Sequence, residues 1–232
     1  MDLHSGQAFW PIQNGLLRVY PPLARDERCE VAVIGGGITG ALVAYHLVQA
    51  GLETVVLDRR DVGMGSTAAS TALLQYAIDT HLTDLVGRVG EEHAVRAYRL
   101  CLEAVDKLAA LVGTLDDPCS LQRRPSLYLA SSPRHVAALR ERRVPHKERR
   151  LRRFGELLPG VALEPAFAWA GTFGETKDGL AYIGESPEIP RAYFALDYGG
   201  NGITYSLVAA EILRDLLLGH DNPDRHVFRF DR

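Results

Sequence analysis

Cysteine is scarce in this sequence. Cys29, Cys101 and Cys119 are odd in number and show no C-x-x-C spacing, so neither a disulfide framework nor a zinc site is indicated. Unpaired thiols fit a reducing compartment, and a cytoplasmic protein is expected. No apolar run approaches the length of a membrane span. Met1 to Gly6 has neither the basic region nor the apolar core of a secretory signal, so none is expected. Charge of one sign is also missing. Lys and Arg number 26 against 29 Asp and Glu, and a net charge of −3 gives no general attraction to nucleic acid or an anionic membrane. The eight His residues are scattered without ligand spacing, so no metal is expected. No Ser-His-Asp arrangement suggests a nucleophile. Internal repeats and low-complexity segments are absent. What remains is a chain of 232 residues, 47% apolar, with enough length for one large domain or two small ones.

One stretch stands out, Cys29-Glu-Val-Ala-Val-Ile-Gly-Gly-Gly-Ile-Thr-Gly40. Val31 to Ile34 is a β-branched apolar run, as expected of a buried parallel strand. Gly35, Gly37 and Gly40 follow in the spacing G-x-G-x-x-G. A helical pattern then runs from Ala41 to Ala50 and stops at Gly51. Gly35 permits the tight turn, Gly37 lets a pyrophosphate approach the backbone, and Gly40 lets the helix lie close to the strand. The helix N-terminus offers free N–H groups and partial positive charge to phosphate. A second apolar run, Thr54 to Leu57, ends in Asp58, near the spacing of about 20 residues expected of a ribose-binding carboxylate. Glycine-rich turns alone are common. Strand, glycines, helix, second strand and terminal acid together point to a dinucleotide.

Elsewhere the signals are plainer. Residues 1–28 read as an irregular lead-in with turn signals at Trp10-Pro11, Asn14-Gly15 and Pro21-Pro22. In 63–76, Ser66 or Thr67 could cap a helix to about Tyr76, with hydroxyls at 66, 67, 70 and 71 on one face. That is either a capped helix with a polar face or a second phosphate-contacting helix start. Helices are expected over 79–89 and 91–115, the latter with Ala94, Tyr98, Leu102, Val105, Leu108 and Leu111 near one face. A strand is expected at 126–130, and a helix opening at Pro133. Residues 140–153 hold eight Arg or Lys against two Glu, without interleaved aromatics. A solvated helix face explains that run better than a nucleic-acid patch. A helical piece ends at Gly160. Strands are expected at 165–172, 181–183 and 192–196. A second glycine-rich turn, Asp197 to Thr204, leads into an apolar helix over 205–218 and a polar tail from His220 to Arg232.

These residues resemble the FAD-dependent oxidoreductases of the D-amino-acid oxidase and glycine oxidase group. Three blocks carry the resemblance: Val31 to Asp58, Gly63 to Gln75, and a C-terminal set. That set is Trp169-Ala-Gly171, Thr176-Lys-Asp-Gly179, Ile183-Gly184 and Gly199-Gly-Asn-Gly-Ile-Thr204. The resemblance implies an α/β, Rossmann-like FAD-binding fold of the glutathione-reductase type, with an incomplete, mostly helical substrate domain. The FAD-binding domain would be discontinuous, residues 1–78 and 160–232, with 79–159 as the helical remnant. The sheet would join Val31–Ile34, Thr54–Leu57 and the C-terminal strands. FAD would be held non-covalently, since no His or Cys lies in the flavin-facing blocks. Gly35, Gly37, Ile38, Thr39, Gly40, Gly65, Ser66 and Thr67 would line the phosphates. Asp58, where the family more often has Glu, would bind the ribose, with Arg59 beside it. Ala69, Ser70, Leu73 and Gln75 would approach the flavin ring together with Gly171. Gly199, Gly200, Asn201, Gly202, Ile203 and Thr204 would lie near its pyrimidine edge, where a helix N-terminus favours the anionic reduced form.

Two departures shape the functional expectation. The family places a carboxylate-clamping Arg just before the T-K-D-G motif, and the matching position here is about Phe173, which cannot make a bidentate carboxylate contact. The family's long middle section, with an FAD-contacting strand, has no counterpart between the helical region and Pro145. The resemblance therefore implies an FAD-dependent oxidoreductase acting on a C–N bond of an amine or amino-acid derivative. Its partner would be a small molecule, and the flavin would carry the chemistry. Two alternatives stay open: a flavin-binding protein without turnover, and an NAD(P)-binding oxidoreductase in which Arg59 and Arg60 contact a 2′-phosphate.

Overall fold

The computed structural model describes residues 3–16, 18–125, 160, 164 and 166–232. The chain divides into two compact units, Met1–Cys119 with Trp169–Arg232, and Ser120–Ala168. The described residues of the second unit form no helix or strand. The strand expected at 126–130, the helix opening at Pro133, the basic run 140–153 and the piece ending at 159 lie outside the described residues.

In the first unit the lead-in is more ordered than its turn signals imply. It forms β1 (His4–Gly6) and α1 (Phe9–Asn14). Pro11 is tolerated in the first turn of α1, where its missing N–H is not needed. The expected dinucleotide unit follows: β2 (Val31–Ile34), α2 (Ile38–Gln49) and β3 (Thr54–Leu57). β2 and β3 pair in parallel, with Val31 opposite Thr54 and Ile34 opposite Leu57. Val31 and Val33 pack against the hydrophobic core. Ala32 and Ile34 point the other way, and Ile34 is 79% exposed. The strand is thus buried on one face rather than two, because no described element covers the second.

A 3-10 turn (Ser66–Ala69) takes the place of the helix expected up to Tyr76. The Ser70 hydroxyl accepts the Ala72 amide at 3.0 Å, a local bond that competes with helix propagation, and Ala72 turns to φ 54°. Next come α3 (Leu82–Val89) and α4 (Glu91–Val112). The buried stripe of α4 is Ala94, Ala97, Leu100, Cys101, Ala104 and Leu108, whereas Leu102 is half exposed. Small residues win this face because they let another helix come close.

The remaining strands are β4 (Trp169–Gly171), β5 (Tyr182–Glu185) and β6 (Tyr193–Leu196). They do not extend the β2–β3 sheet. β4 pairs antiparallel with β1, and β5 pairs antiparallel with β6. The reason is chain length. Residues 186–192 close a hairpin through Ser186 N–H to Ala192 O, 2.7 Å, whereas a parallel pair needs a crossover of roughly a dozen residues or more. The single sheet expected from the sequence is therefore three two-stranded pieces among the described residues.

The core forms around α5 (Gly202–Leu217), in which Thr204 to Ala210, Ile212 and Leu213 are all buried. Such all-round burial marks a central helix. α2 and α4 pack on it with Leu42, Val43, Leu47, Leu100 and Leu108. The tail is also structured. α6 (Arg225–Phe228) buries Val227 and Phe228, and Phe230 stacks on Tyr182 at 5.2 Å. Arg232 holds Asp178 through two bonds of 2.7 and 3.1 Å. The expectation of a merely polar tail is corrected here, since its few apolar residues all point inward.

Candidate cofactor site

The β2–α2 turn is built to leave backbone open. Gly35 adopts φ 115°, out of reach of ordinary L residues. A Cβ on Gly40 would stand 1.8 Å from Gly35 O, so the helix can sit this close only with glycine there. Gly37 differs. Its backbone is extended, and a Cβ would meet only Thr67 Oγ1, at 3.0 Å. Thr67 Oγ1 in turn accepts the Ile38 amide at 3.0 Å. The first amides of a helix lack intrahelical acceptors. Those of Thr39 and Gly40 have no protein acceptor among the described residues and can face an anion.

Asp58 leans onto the same turn. Its Oδ2 accepts the Gly36 amide at 2.6 Å and its Oδ1 the Arg60 amide at 2.8 Å. Burial works to raise its pKa, but the Arg60 and Gly36 amides, the Arg60 charge and the Arg59 amide outweigh it and hold the carboxyl below its ordinary value. Each oxygen still has a lone pair for a hydroxyl donor. Asp58→Ala should raise the FAD dissociation constant about ten- to hundredfold, roughly 1.5–3 kcal/mol, in a chain that stays folded. A titration giving the wild-type constant would remove Asp58 from the site.

The expected second block is brought to the first through Thr67. Gly65, Ser66, Ala69 and Ser70 lie in or beside the 3-10 turn. Ser66 Oγ donates to Thr172 O at 3.4 Å, and Gly171 packs so closely that a Cβ on it would stand 2.8 Å from the Ala69 Cβ. Leu73 and Gln75 are exposed, as are Phe173 and Arg59.

The third block meets the first at a helix end. Thr39 Oγ1 and Ser206 Oγ lie 2.8 Å apart, so the N-terminal turns of α2 and α5 adjoin. Asn201 donates to Ala77 O at 2.9 Å and to Gln75 O at 3.4 Å, while its Oδ1 is buried without a partner. Thr204 points inward, its hydroxyl bonded to Asn201 O. Gly202 and Ile203 are half-buried in the first turn. Gly199 has φ 59°, and Asp79 sits directly on the Gly199-Gly200 backbone, its Oδ2 accepting the Gly200 amide at 2.6 Å. A carboxylate of the chain's own thus stands at the start of α5.

The residues fit FAD. Gly37 provides a space that a side chain would fill, the free amides at the start of α2 favour an anion, and Asp58 closes the turn, whereas the start of α5 already carries the Asp79 carboxylate. Among the described residues no group of three or more His, Cys, Asp or Glu could hold a metal ion. No helix among them is long and apolar enough to cross a membrane.

Sequence comparison agrees with this class of site. The FAD dependent oxidoreductase (DAO) family matches residues 30–153 and 143–216, and the chain belongs to that family. Its cofactor is FAD. Among curated proteins the chain is similar to a putative Rieske 2Fe-2S iron-sulfur protein, YhfW, of Bacillus subtilis, 29% identical over 54% of this chain and 25% of that one. It is similar to the glycine oxidase of Bacillus licheniformis, 36% identical over 32% of this chain and 20% of the enzyme. It is also similar to the gamma-glutamylputrescine oxidoreductase of Escherichia coli K12, 25% identical over 53% and 29%. The chain thus spans between a fifth and about three-tenths of the length of these relatives.

Sequence reasoning missed Trp10, Asp79 and Ser206. None lies in a motif. Each acts across more than a hundred residues of chain or from the lead-in, and no local pattern announces such a partner.

Proposed function

We infer that this chain holds FAD non-covalently, with its phosphates at the start of α2, and oxidises a C–N bond of an amine or amino-acid derivative. The observation that carries the reading is the open Gly37 backbone beside the Thr39 and Gly40 amides at the start of α2, which have no protein acceptor among the described residues. FAD, when bound, supplies an acceptor for the hydride leaving the carbon next to nitrogen. The chain's residues bind and orient. Asp58 takes ribose hydroxyls, the α2 amides take phosphate, and residues 69–75 with 199–204 face the ring. The names of the glycine oxidase and the gamma-glutamylputrescine oxidoreductase support the substrate class. Residues 1–78 and 160–232 serve the cofactor in this reading, and 79–159 stand where the family's substrate section begins.

Phe173 supports a narrower statement. It is 61% exposed, with no cation of its own to offer a carboxylate. Glycine, sarcosine and common D-amino acids should therefore reduce the flavin very slowly or not at all, because orientation supplies much of the rate of such a transfer. Amines without a carboxylate should do better. The test is anaerobic bleaching of the reconstituted flavin by each compound. Rapid bleaching by glycine would overturn the narrower statement. A bound flavin that no amine bleaches would favour binding without turnover.

A further inference from the structure

The chain has only two tryptophans, and both hold the same turn. Trp10, on α1, donates its indole N–H to Ser70 O at 2.8 Å. Trp169, on β4, donates its indole N–H to Ala69 O at 3.0 Å. These carbonyls are consecutive and close the 3-10 turn Ser66–Ala69. Ala68 is the turn's one buried residue, so hydrogen bonds rather than core packing fix it. The two tryptophans reach it from elements that are themselves joined: β1 pairs with β4, and the Thr172 amide donates to Leu3 O at 2.8 Å. On its other side the turn presents Thr67 to the Ile38 amide.

We propose that the β1–α1 lead-in and β4 form a clamp on this turn, and that Trp10 and Trp169 are positioning residues for a ligand carrying a pyrophosphate. The clamp rests on the reading that FAD phosphates lie at the start of α2. The chain of contacts runs from indole to carbonyl, through the turn to Thr67, and so to the first amide of α2. A donor held in place before the ligand arrives costs no ordering when it binds. If the turn slackens, Thr67 no longer fixes the Ile38 amide and phosphate meets a mobile loop. The adenosine end, held by Asp58, does not touch the clamp.

The test separates these two ends. Trp10→Phe keeps a ring that can pack edge-on against Phe9, now 5.0 Å away, but removes the N–H. The dissociation constants of FAD and of ADP should both rise about tenfold, the upper range for one neutral hydrogen bond. Competition by adenosine, which lacks phosphate, should be unchanged. Trp169→Phe should behave alike. The double variant should lose about thirtyfold rather than a hundredfold, because the two bonds act on one turn. With both tryptophans at this turn, FAD should also quench the emission of the wild-type protein. Wild-type FAD and ADP affinity in both single variants would overturn the clamp. An equal loss of adenosine binding would overturn it too, by showing general loosening. A Gly37→Val chain that binds ADP as well as wild type would instead remove the phosphate reading beneath it.

Discussion

Gly37→Val is expected to give a folded chain that no longer takes up FAD. The backbone at this position is extended, φ −79° and ψ −175°, and suits a β-branched residue. Among the described residues one atom lies within 4 Å of the new Cβ, Thr67 Oγ1 at 3.0 Å, and a shift of a few tenths of an ångström relieves that contact. A folded chain is therefore the expected outcome. The ligand does not. The two methyl groups would stand where phosphate must approach the α2 amides, and no rotamer removes both. No saturation is expected at FAD concentrations about a hundredfold above the wild-type dissociation constant, a loss of about 3 kcal/mol or more. Flavin content after reconstitution, beside the far-ultraviolet spectrum, decides the matter. Gly40 is the instructive contrast, because there the collision is with Gly35 O and needs no ligand.

Arg232→Ala should unfold the chain far more readily. The Arg232 side chain is 6% exposed and makes four contacts: two to Asp178, one to Leu180 O at 2.6 Å and one to Arg229 O at 3.0 Å. Its guanidinium also lies 4.0 Å over the Tyr182 ring. Alanine would strand Asp178 beneath the tail. Breaking a buried pair from one side costs about 3–5 kcal/mol, and the lower end applies because Asp178 keeps some access to water. Burial tends to raise the Asp178 pKa, but Arg232, Thr176 and the Leu180 amide more than reverse it, so the folded value lies below the ordinary one. The stability it contributes is fully present above the unfolded value of about 3.9 and is lost as pH falls through the folded value. Wild-type urea midpoints should drop in that acid window. The Arg232→Ala chain should be weaker at neutral pH and show less of that drop. Equal midpoints for the two proteins at pH 7 would show that the ion pair adds nothing.

How legible was this molecule? The β2–α2–β3 unit could be read almost to the residue, because β-branched runs, glycine spacing and a helix-length pattern are local signals. The place of Asp58 at the end of β3, against the Gly36 amide, follows from the same local pattern. The C-terminal strands were found, but not their partners, since pairing depends on the length of 186–192 and on which edges are free. The 63–76 segment misled because its hydroxyls look like helix caps, while the Ser70 hydroxyl instead takes the Ala72 amide and the Ala69 and Ser70 carbonyls go to Trp169 and Trp10. The tail misled through composition: Phe228, Phe230 and Arg232 are few among polar neighbours, yet these few are buried or stacked.

The joined starts of α2 and α5 have a consequence for how the chain acquires its shape. Thr39 must find Ser206, Asp79 must find Gly200, and Trp10 must find Ser70 before the pocket exists. Contacts so distant in sequence carry a large loop-closure cost and form late. In the proposed reading a ligand bound at the start of α2 would, by mass action, stabilise the assembled state in proportion to the logarithm of its concentration. If FAD binds there, a chain prepared with added flavin should unfold at a higher urea midpoint than the same chain without it.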